Sequence, residues 1–201
     1  LLFILANLGV NVTSLVASLG IGGLAIALAL QNILSDLFSS ISIYADKPFQ
    51  VGDFVTVGTD KGTVEHIGLK STRIRALAGN ELVIPNKELT AARVENFGRM
   101  ERRRVVFNLG VTYGTKPEQL QAIPSMVEEV IAQQEPATFD RCSFSSFGDS
   151  ALLFEVVYYV DSNDYATYVR INQAVNLAVY GAFAAADIEF AFPTQTIYLE
   201  K

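Results

Sequence analysis

Two leucines in the apolar N-terminal part of the chain, Leu24 and Leu28, have a spacing that could keep water out of a pore. Four residues correspond to about one helical turn, so the two side chains lie one above the other on a helix. Copies of such a helix arranged in a ring would surround the centre with two stacked layers of leucine. Hydrophobic constrictions of this kind can close a pore by dewetting.

Residues with small side chains flank the leucine pair on both sides. Gly20, Gly23 and Ala27 share one face of the predicted helix, and Ala25 lies beyond the leucines on the other side. Small residues let membrane helices approach closely, as a ring requires, because each helix then contacts two neighbours. On the helix alone, the simpler interpretation is an ordinary transmembrane helix that packs through its small face.

The segment that must position these residues is apolar over residues 15–31, and the apolar run extends back to Leu1. Its length exceeds the roughly 20 residues needed to cross a bilayer core. The run therefore predicts a membrane helix. We interpret residues 1–8 as the end of an earlier membrane helix and residues 9–11 as a turn, so that preceding membrane helices lie outside the sequence.

At Gln31 and Asn32 the predicted helix changes character. Residues 33–41 carry apolar side chains at helical spacing with polar side chains between them, which predicts an amphipathic helix suited to an interface or a packing surface. Asparagine has a lower helix propensity than alanine or leucine, so the two residues are a candidate bend. One uninterrupted helix with a polar step is equally consistent with the composition.

Charge is unevenly distributed along the chain. Residues 1–104 carry 11 Lys/Arg and 9 Asp/Glu, a formal charge of +2, whereas residues 105–201 carry 4 and 12, a formal charge of −8. The acidic distal half argues against nucleic-acid binding by that half. Basic residues follow the membrane segment, and the positive-inside rule then places the soluble part in the cytoplasm. These residues are Lys47, Lys61, Lys70, Arg73 and Arg75.

A cluster of arginines, Arg99 and Arg102–104, precedes the distal half. It is either a solvated cluster at a strand edge or a contact for lipid phosphates or permeating anions.

Groups that could catalyse a reaction or bind a metal are few and scattered. His66 is the single histidine and Cys142 the single cysteine, so we expect neither a metal site nor a disulfide within the chain. We expect Cys142 to be a small, partly buried hydrophobe. No pair of base and nucleophile is recognisable, so no catalytic site or cofactor is predicted. The distal polar candidates are Ser143, Ser145, Asp149 and Glu155.

After Pro48 the periodicity changes to that of strands. Short strands separated by tight turns with glycine predict a small barrel or sandwich, followed by a short helix or loop at residues 88–95. The predicted strands are residues 54–57, 63–67, 71–76 and 81–84.

The distal part predicts the order β-α-β-β-α-β, which is that of a ferredoxin-like split βαβ domain. A final strand at residues 195–199 could pair with copies of itself in an oligomer. The preceding elements are strand 105–113, helix 117–134, strands 142–147 and 152–160, helix 165–186 and strand 188–190.

An ordered series of short motifs resembles the small-conductance mechanosensitive channel (MscS) family, and the resemblance covers nearly the whole chain. The motifs after the helix are Pro48-Phe49, Val51-Gly52-Asp53, Gly62-Thr63-Val64, Ile67-Gly68-Leu69, Thr72 with Arg73-Ile74-Arg75, Ile84-Pro85-Asn86, and Asn96 with Arg99. The pore-helix motif is Gly20, Gly23, Leu24, Leu28 and Leu30-Gln31, and the terminal one is Ile188-Glu189-Phe190, Phe192-Pro193 and Gln195.

This resemblance implies a homoheptameric channel that membrane tension opens, releasing ions and small osmolytes during hypoosmotic shock. It implies a multi-pass protein of the inner cell membrane that contacts lipids and has cytoplasmic soluble domains. The implied domains are a membrane segment at 1–45 that ends in a kinked pore-lining helix, an SH3-like β domain at 46–97, and an α+β ferredoxin-like domain at 98–201 with a C-terminal strand. The alternative is a membrane-anchored scaffold or ligand-sensing protein, and an enzyme is the least favoured class.

The resemblance also assigns roles within the helix. Leu24 and Leu28 match the two constriction rings of the family, and Gly20, Gly23 and Ala25 match small helix-packing positions. The chain departs from the family pattern at Ala78, where aspartate is common, and at three positions in the helix. Ala27 stands where the family often has glycine, Ile21 where alanine is usual, and Asn32 at the glycine position of the kink.

Overall fold

The structure, a computed structural model, describes residues 12–195 of the chain. The chain divides into two compact units, Leu1–Gly98 and Arg99–Lys201. The first unit contains a long helix and a β domain, and the second contains three strands and two helices.

Helix α1, Val12–Asp46, is the long apolar helix that the composition predicts. It ends at Lys47, whose φ of 46° is left-handed, and Pro48 follows, which cannot continue the helix. Within residues 12–195, α1 is the one helix long and apolar enough to cross a membrane. It is α-helical throughout, including Gln31 and Asn32, so the bend at these residues stays a prediction.

The β domain is a five-stranded antiparallel sheet with the order β4-β3-β2-β1-β5. Alternate side chains of its strands point into a core that α1 completes with Ile43. The elements are β1 (Phe54–Val57), β2 (Asp60–Ile67), β3 (Ser71–Ala76), β4 (Glu81–Pro85), helix α2 (Asn86–Ala91) and β5 (Val94–Asn96).

Two features of this domain differ from the sequence prediction. Helix α2 begins at Asn86, directly after β4, and strand β5 occupies residues for which a helix or a loop was predicted. The three residues of β5 are too few to show a period of two, and their pairing with β1, for example Val57 with Val94, depends on a partner 37 positions away.

A glycine is required at position 62, in the motif Gly62-Thr63-Val64. A Cβ atom at this position would clash with the carbonyl group of Arg75 on the neighbouring strand β3. Only glycine therefore allows β2 and β3 to approach as closely as they do.

The second unit is a three-stranded antiparallel sheet with the order β6-β8-β7, covered on one face by two helices. The central strand contributes every second side chain, Leu152 to Val160, to the core between sheet and helices. The elements are β6 (Arg103–Val111), α3 (Pro117–Ala132), β7 (Ala137–Phe147), β8 (Leu152–Val160) and α4 (Tyr165–Ala185).

The strand predicted at residues 188–190 is reduced to a single bridge between Val111 and Phe190. Asp187, with a φ of 56°, reverses the chain after α4, and Pro193 soon follows, so few residues are left that can pair with β6. The strand predicted at 195–199 lies, apart from Gln195, outside the described residues. The same holds for the helix end predicted at 1–8 and the turn at 9–11.

Candidate functional site: the apolar helix and its attachment

The N-terminal part of α1, which we call its upper part, is exposed on all sides. Leu24 and Leu28 are 62% and 61% exposed, whereas Ile43 near the end of the same helix is 2% exposed. No atom outside the helix lies within 4 Å of a Cβ built on Gly20 or Gly23. A helix that is apolar on every side and is left uncovered by the other described residues, up to position 195, requires a bilayer or further helices around it.

The β domain contacts a different face of α1 from the one that carries the leucine pair. Successive residues advance by about 100° around a helix. The residues that contact the β domain, Asn32, Ser39, Ser40 and Ile43, then point on average roughly 80° away from Leu24 and Leu28. Leu24 and Leu28, which we call the leucine stripe, remain exposed beside these contacts.

The lower half of α1 is attached to the β domain through one buried apolar contact and several hydrogen bonds. Ile43 belongs to the core of the β domain. The Ser40 hydroxyl donates to the carbonyl of Gly68 at 3.3 Å, and the hydroxyl of Thr90 in α2 donates to the Ser39 hydroxyl at 3.1 Å. Both contacts fix the rotation of the helix, because a turn about its axis would break them.

Asn32, one of the two candidate bend residues, also takes part in this attachment. Its side-chain oxygen accepts a hydrogen bond of 3.4 Å from the ammonium group of Lys87, at the start of α2. Gln31 is exposed to solvent. Asn32 is exposed as well, so its hydrogen bond to Lys87 is what distinguishes the two neighbours.

A buried network of hydrogen bonds supports this attachment. The side-chain amide of Asn86 donates to the carbonyl of Gly68 at 2.7 Å, and its oxygen accepts from the hydroxyl of Thr72 at 2.8 Å. The backbone N–H of Asn86 donates to the carbonyl of Lys70 at 2.9 Å. Asn86 and Thr72 have no exposed surface. The network holds the β2–β3 loop in the position from which Gly68 meets Ser40.

Sequence analysis included Asn86, Thr72 and Gly68 only as members of motifs and gave them no role. One signal for Asn86 was available: an asparagine that follows Pro85 at the end of an apolar strand often begins a turn or a helix. The contact of Gly68 with Ser40 left no such signal, since it joins residues 28 positions apart.

Of the residues considered for catalysis or metal binding, Ser143 on β7 pairs across the sheet with Glu155 on β8. His66 is exposed on β2, in the first unit, and Cys142 is half-buried on β7, in the second. Burial raises the pKa of the Cys142 thiol to about 11. Glu155 forms an ion pair of 2.9 Å with Arg141. Residues 12–195 contain no group of three or more His, Cys, Asp or Glu that could hold a metal ion.

Three domain families of mechanosensitive ion channels match successive parts of the chain. Transmembrane helices 2/3 of the mechanosensitive ion channel match residues 1–31, and its beta-domain matches residues 32–99. The C-terminal domain of the mechanosensitive ion channel MscS matches residues 105–190.

Individual relatives agree with this assignment. The chain is 39% identical to the large-conductance mechanosensitive channel MscMJLR of Methanocaldococcus jannaschii over 209 residues, and 39% identical to the small-conductance channel MscMJ of the same organism over 199 residues. These alignments cover 100% and 98% of the chain but 57% of each relative, so the chain spans little more than half of their length.

A solved structure has the same fold. The closed-state crystal structure of Helicobacter pylori MscS superposes with a TM-score of 0.76 and 27% identity, and covers 100% of this chain and 78% of that one. The matched domains follow one another in order over almost the entire sequence. The chain therefore belongs to the MscS family of mechanosensitive ion channels.

Proposed function

We propose that this chain forms the pore and the cytoplasmic part of a homoheptameric channel that opens under membrane tension. The channel releases ions and small osmolytes during hypoosmotic shock. The proposal rests mainly on the uncovered leucine stripe of α1, because two leucines one turn apart remain open on a helix whose lower end is fixed. The family membership supports it.

In the closed ring, Leu24 and Leu28 of every subunit face the axis and keep the constriction dry. The small residues on either side, Gly20, Gly23, Ala25 and Ala27, let neighbouring helices touch and slide. Opening widens the ring and increases its area in the membrane plane. Tension favours the open state through this difference in area alone.

The attachment to the β domain determines which part of α1 moves. Ser40 and Ile43 are held by the β domain, whereas the described side chains of the helix above Asn32 are exposed. The upper part then tilts about a fixed lower end, and Gln31 and Asn32 lie where the two parts join. The membrane part is multi-pass and lies in the inner membrane in contact with lipids, with both soluble domains in the cytoplasm.

The test is reconstitution of the full-length protein in liposomes, with currents recorded under graded suction. We expect single-channel steps whose open probability rises steeply with tension, and no steps in liposomes without protein. A ligand that binds the soluble domains, with no current up to the tension at which the patch breaks, would instead favour a scaffold or a sensor.

A further inference from the structure

The second unit carries an apolar groove beside strand β6, at one edge of its sheet. The groove has a volume of about 680 Å³ and lies between β6, helix α4 and the segment that follows α4. Tyr180 and Phe192 are 65% and 73% exposed at the groove, and the Tyr180 ring stacks on Phe190 at 5.9 Å. Asn108, Asn176 and Glu189 supply its polar groups.

The opposite edge of the sheet, strand β7, carries an aromatic projection. Phe147 is 74% exposed, and its ring packs edge-on against the ring of Phe144, with 4.9 Å between the ring centroids. Phe144 in turn lies 5.3 Å from Phe154 in the core, and the Tyr113 hydroxyl donates to the carbonyl of Gly148 at 2.7 Å. The projection is therefore supported from both sides although its tip is exposed.

The groove and the base of the projection, Phe144, lie at the same level and on the same face of the sheet, and the tip, Phe147, is level with Val111, two residues beyond Leu109. Leu109 in the groove pairs with Phe154 of the central strand, and Phe154 pairs with Phe144. Phe154 points to the helix-covered face, and residues that pair across strands project from the same face. Two copies placed side by side in the same orientation would bring the projection of one to the groove of the other.

Charges of opposite sign lie at the two edges at the other end of the strands, at positions that project from the opposite face of the sheet. Arg104 on β6 and Thr138 on β7 both pair with Tyr159, and the Thr138 hydroxyl donates to the Asp161 carboxylate at 2.8 Å. Residues 101–104 carry one glutamate and three arginines, a formal charge of +2. Beside β7, three acidic residues and one arginine give −2; they are Glu135, Asp140, Asp161 and Arg141.

We infer that in the assembled ring the β6 edge of each subunit receives the β7 edge of the next, with Phe147 in the groove at Tyr180 and Asp161 facing Arg104. An interface between two different patches of one chain is head-to-tail, and it closes into a ring when the rotation between subunits allows. It also covers the outer edge of β7 and the part of β6 that the bridge at Phe190 leaves unpaired, where unwanted pairing could otherwise occur. This inference rests on the proposed function, since the ring of identical subunits comes from there.

Cysteine cross-linking of the full-length protein in native membranes tests this interface. In a background from which all native cysteines, including Cys142, have been removed, Phe147→Cys combined with Tyr180→Cys should give, with copper phenanthroline as oxidant, a ladder of covalent oligomers. Each variant with a single cysteine should form no covalent oligomers. A head-to-tail contact places residue 147 of one subunit beside residue 180 of the next, never beside residue 147. The matched control combines Phe147→Cys with Val169→Cys, an exposed position on the same face of α4 about three turns, or roughly 16 Å, away.

Native mass measurement of the same sample separates the two proposals. A ring with no ladder from the 147/180 pair, or with an equal ladder from the 147/169 pair, would overturn the interface and leave the channel in place. A monomer would overturn both. Charge reversal adds a second readout: Arg104→Glu and Asp161→Arg should each reduce the assembled fraction severalfold, and the double variant should restore it.

Discussion

The hydroxyl of Thr72 donates a hydrogen bond of 2.8 Å to the side-chain oxygen of Asn86, and both side chains are fully buried. The same asparagine donates to the carbonyl of Gly68, which also accepts from Ser40 of the apolar helix. The attachment of the helix therefore depends on the orientation of one buried amide. Such a network defines a geometry when every member is satisfied, and it is costly when one member is lost.

Thr72→Val should destabilise the β domain. Valine has the shape of threonine but cannot donate, so the oxygen of Asn86 would stay buried without this partner, at a cost of about 1–3 kcal/mol. Hydrogen exchange of the amides in β3 and β4 measures the change locally. Thr56→Val is the matched control, because Thr56 is half-buried in the same sheet and its hydroxyl makes no hydrogen bond within residues 12–195. Equal exchange in the two variants would show that the Thr72 hydrogen bond contributes nothing.

Cys142 should react slowly with thiol reagents in the folded protein. Burial raises its pKa to about 11, so at pH 8 roughly one thiol in a thousand is the reactive thiolate, far fewer than for a free cysteine. Timed labelling with a chromogenic disulfide reagent, before and after denaturation, gives the ratio of rates. Ser143→Cys in a Cys142→Ala background places a thiol at the exposed neighbouring position and should react at a rate close to that of the denatured chain. Rapid labelling of native Cys142 would contradict the burial.

Asp164 should make the stability of the second unit depend on pH. It caps helix α4, accepting from the hydroxyl of Thr167 at 2.6 Å and from the backbone N–H of the same residue at 2.8 Å. The hydroxyl contributes most to lowering the pKa of Asp164 below its ordinary value of 3.8. A lowered folded pKa contributes stability above the unfolded value, and that stability is lost as the pH falls through the folded pKa.

Asp164→Asn separates the charge from the cap. Asparagine keeps an oxygen that can accept from the helix N–H groups but has no charge to titrate. At neutral pH the variant should unfold at a lower temperature than the native protein, and the difference should shrink as the pH falls below 3.8. Thermal unfolding followed by circular dichroism between pH 3 and pH 7 measures it. A difference that stays constant over this range would mean that the charge of Asp164 has no part in the cap.

The fold could be predicted from the sequence where a single element carries its own signal. Strand β8 was predicted with the bounds Leu152–Val160 because nine nearly continuous apolar residues stand between turns. Strand β5 was missed, since its three residues are a strand only through their pairing with β1. The strand predicted at 188–190 is reduced to one bridge. The left-handed backbone of Asp187 and the nearby Pro193 limit the residues that can pair with β6.

The candidate site, too, could be predicted from the sequence only in part. The stripe of Leu24 and Leu28 follows from helical periodicity, which is a local property, and its orientation toward a pore axis stays a prediction. The attachment of Ser40 to Gly68 could not be predicted, because it depends on how a helix face meets a loop from a different element. Such contacts depend on the packing of the whole unit, so they produce no periodic pattern in the sequence.

Leu28→Ser should produce a leaky channel that opens at lower tension. Each leucine withheld from water contributes on the order of 2 kcal/mol to the closed ring, and a hydroxyl in its place would hydrate the constriction. Patch recordings should show openings without suction, and cells that produce the variant should grow slowly. Ile26→Ser is the matched control, because residue 26 lies on the opposite side of the helix at nearly the same depth. If the two variants had the same threshold as the native channel, or if Ile26→Ser alone leaked, the leucine stripe would not face the pore.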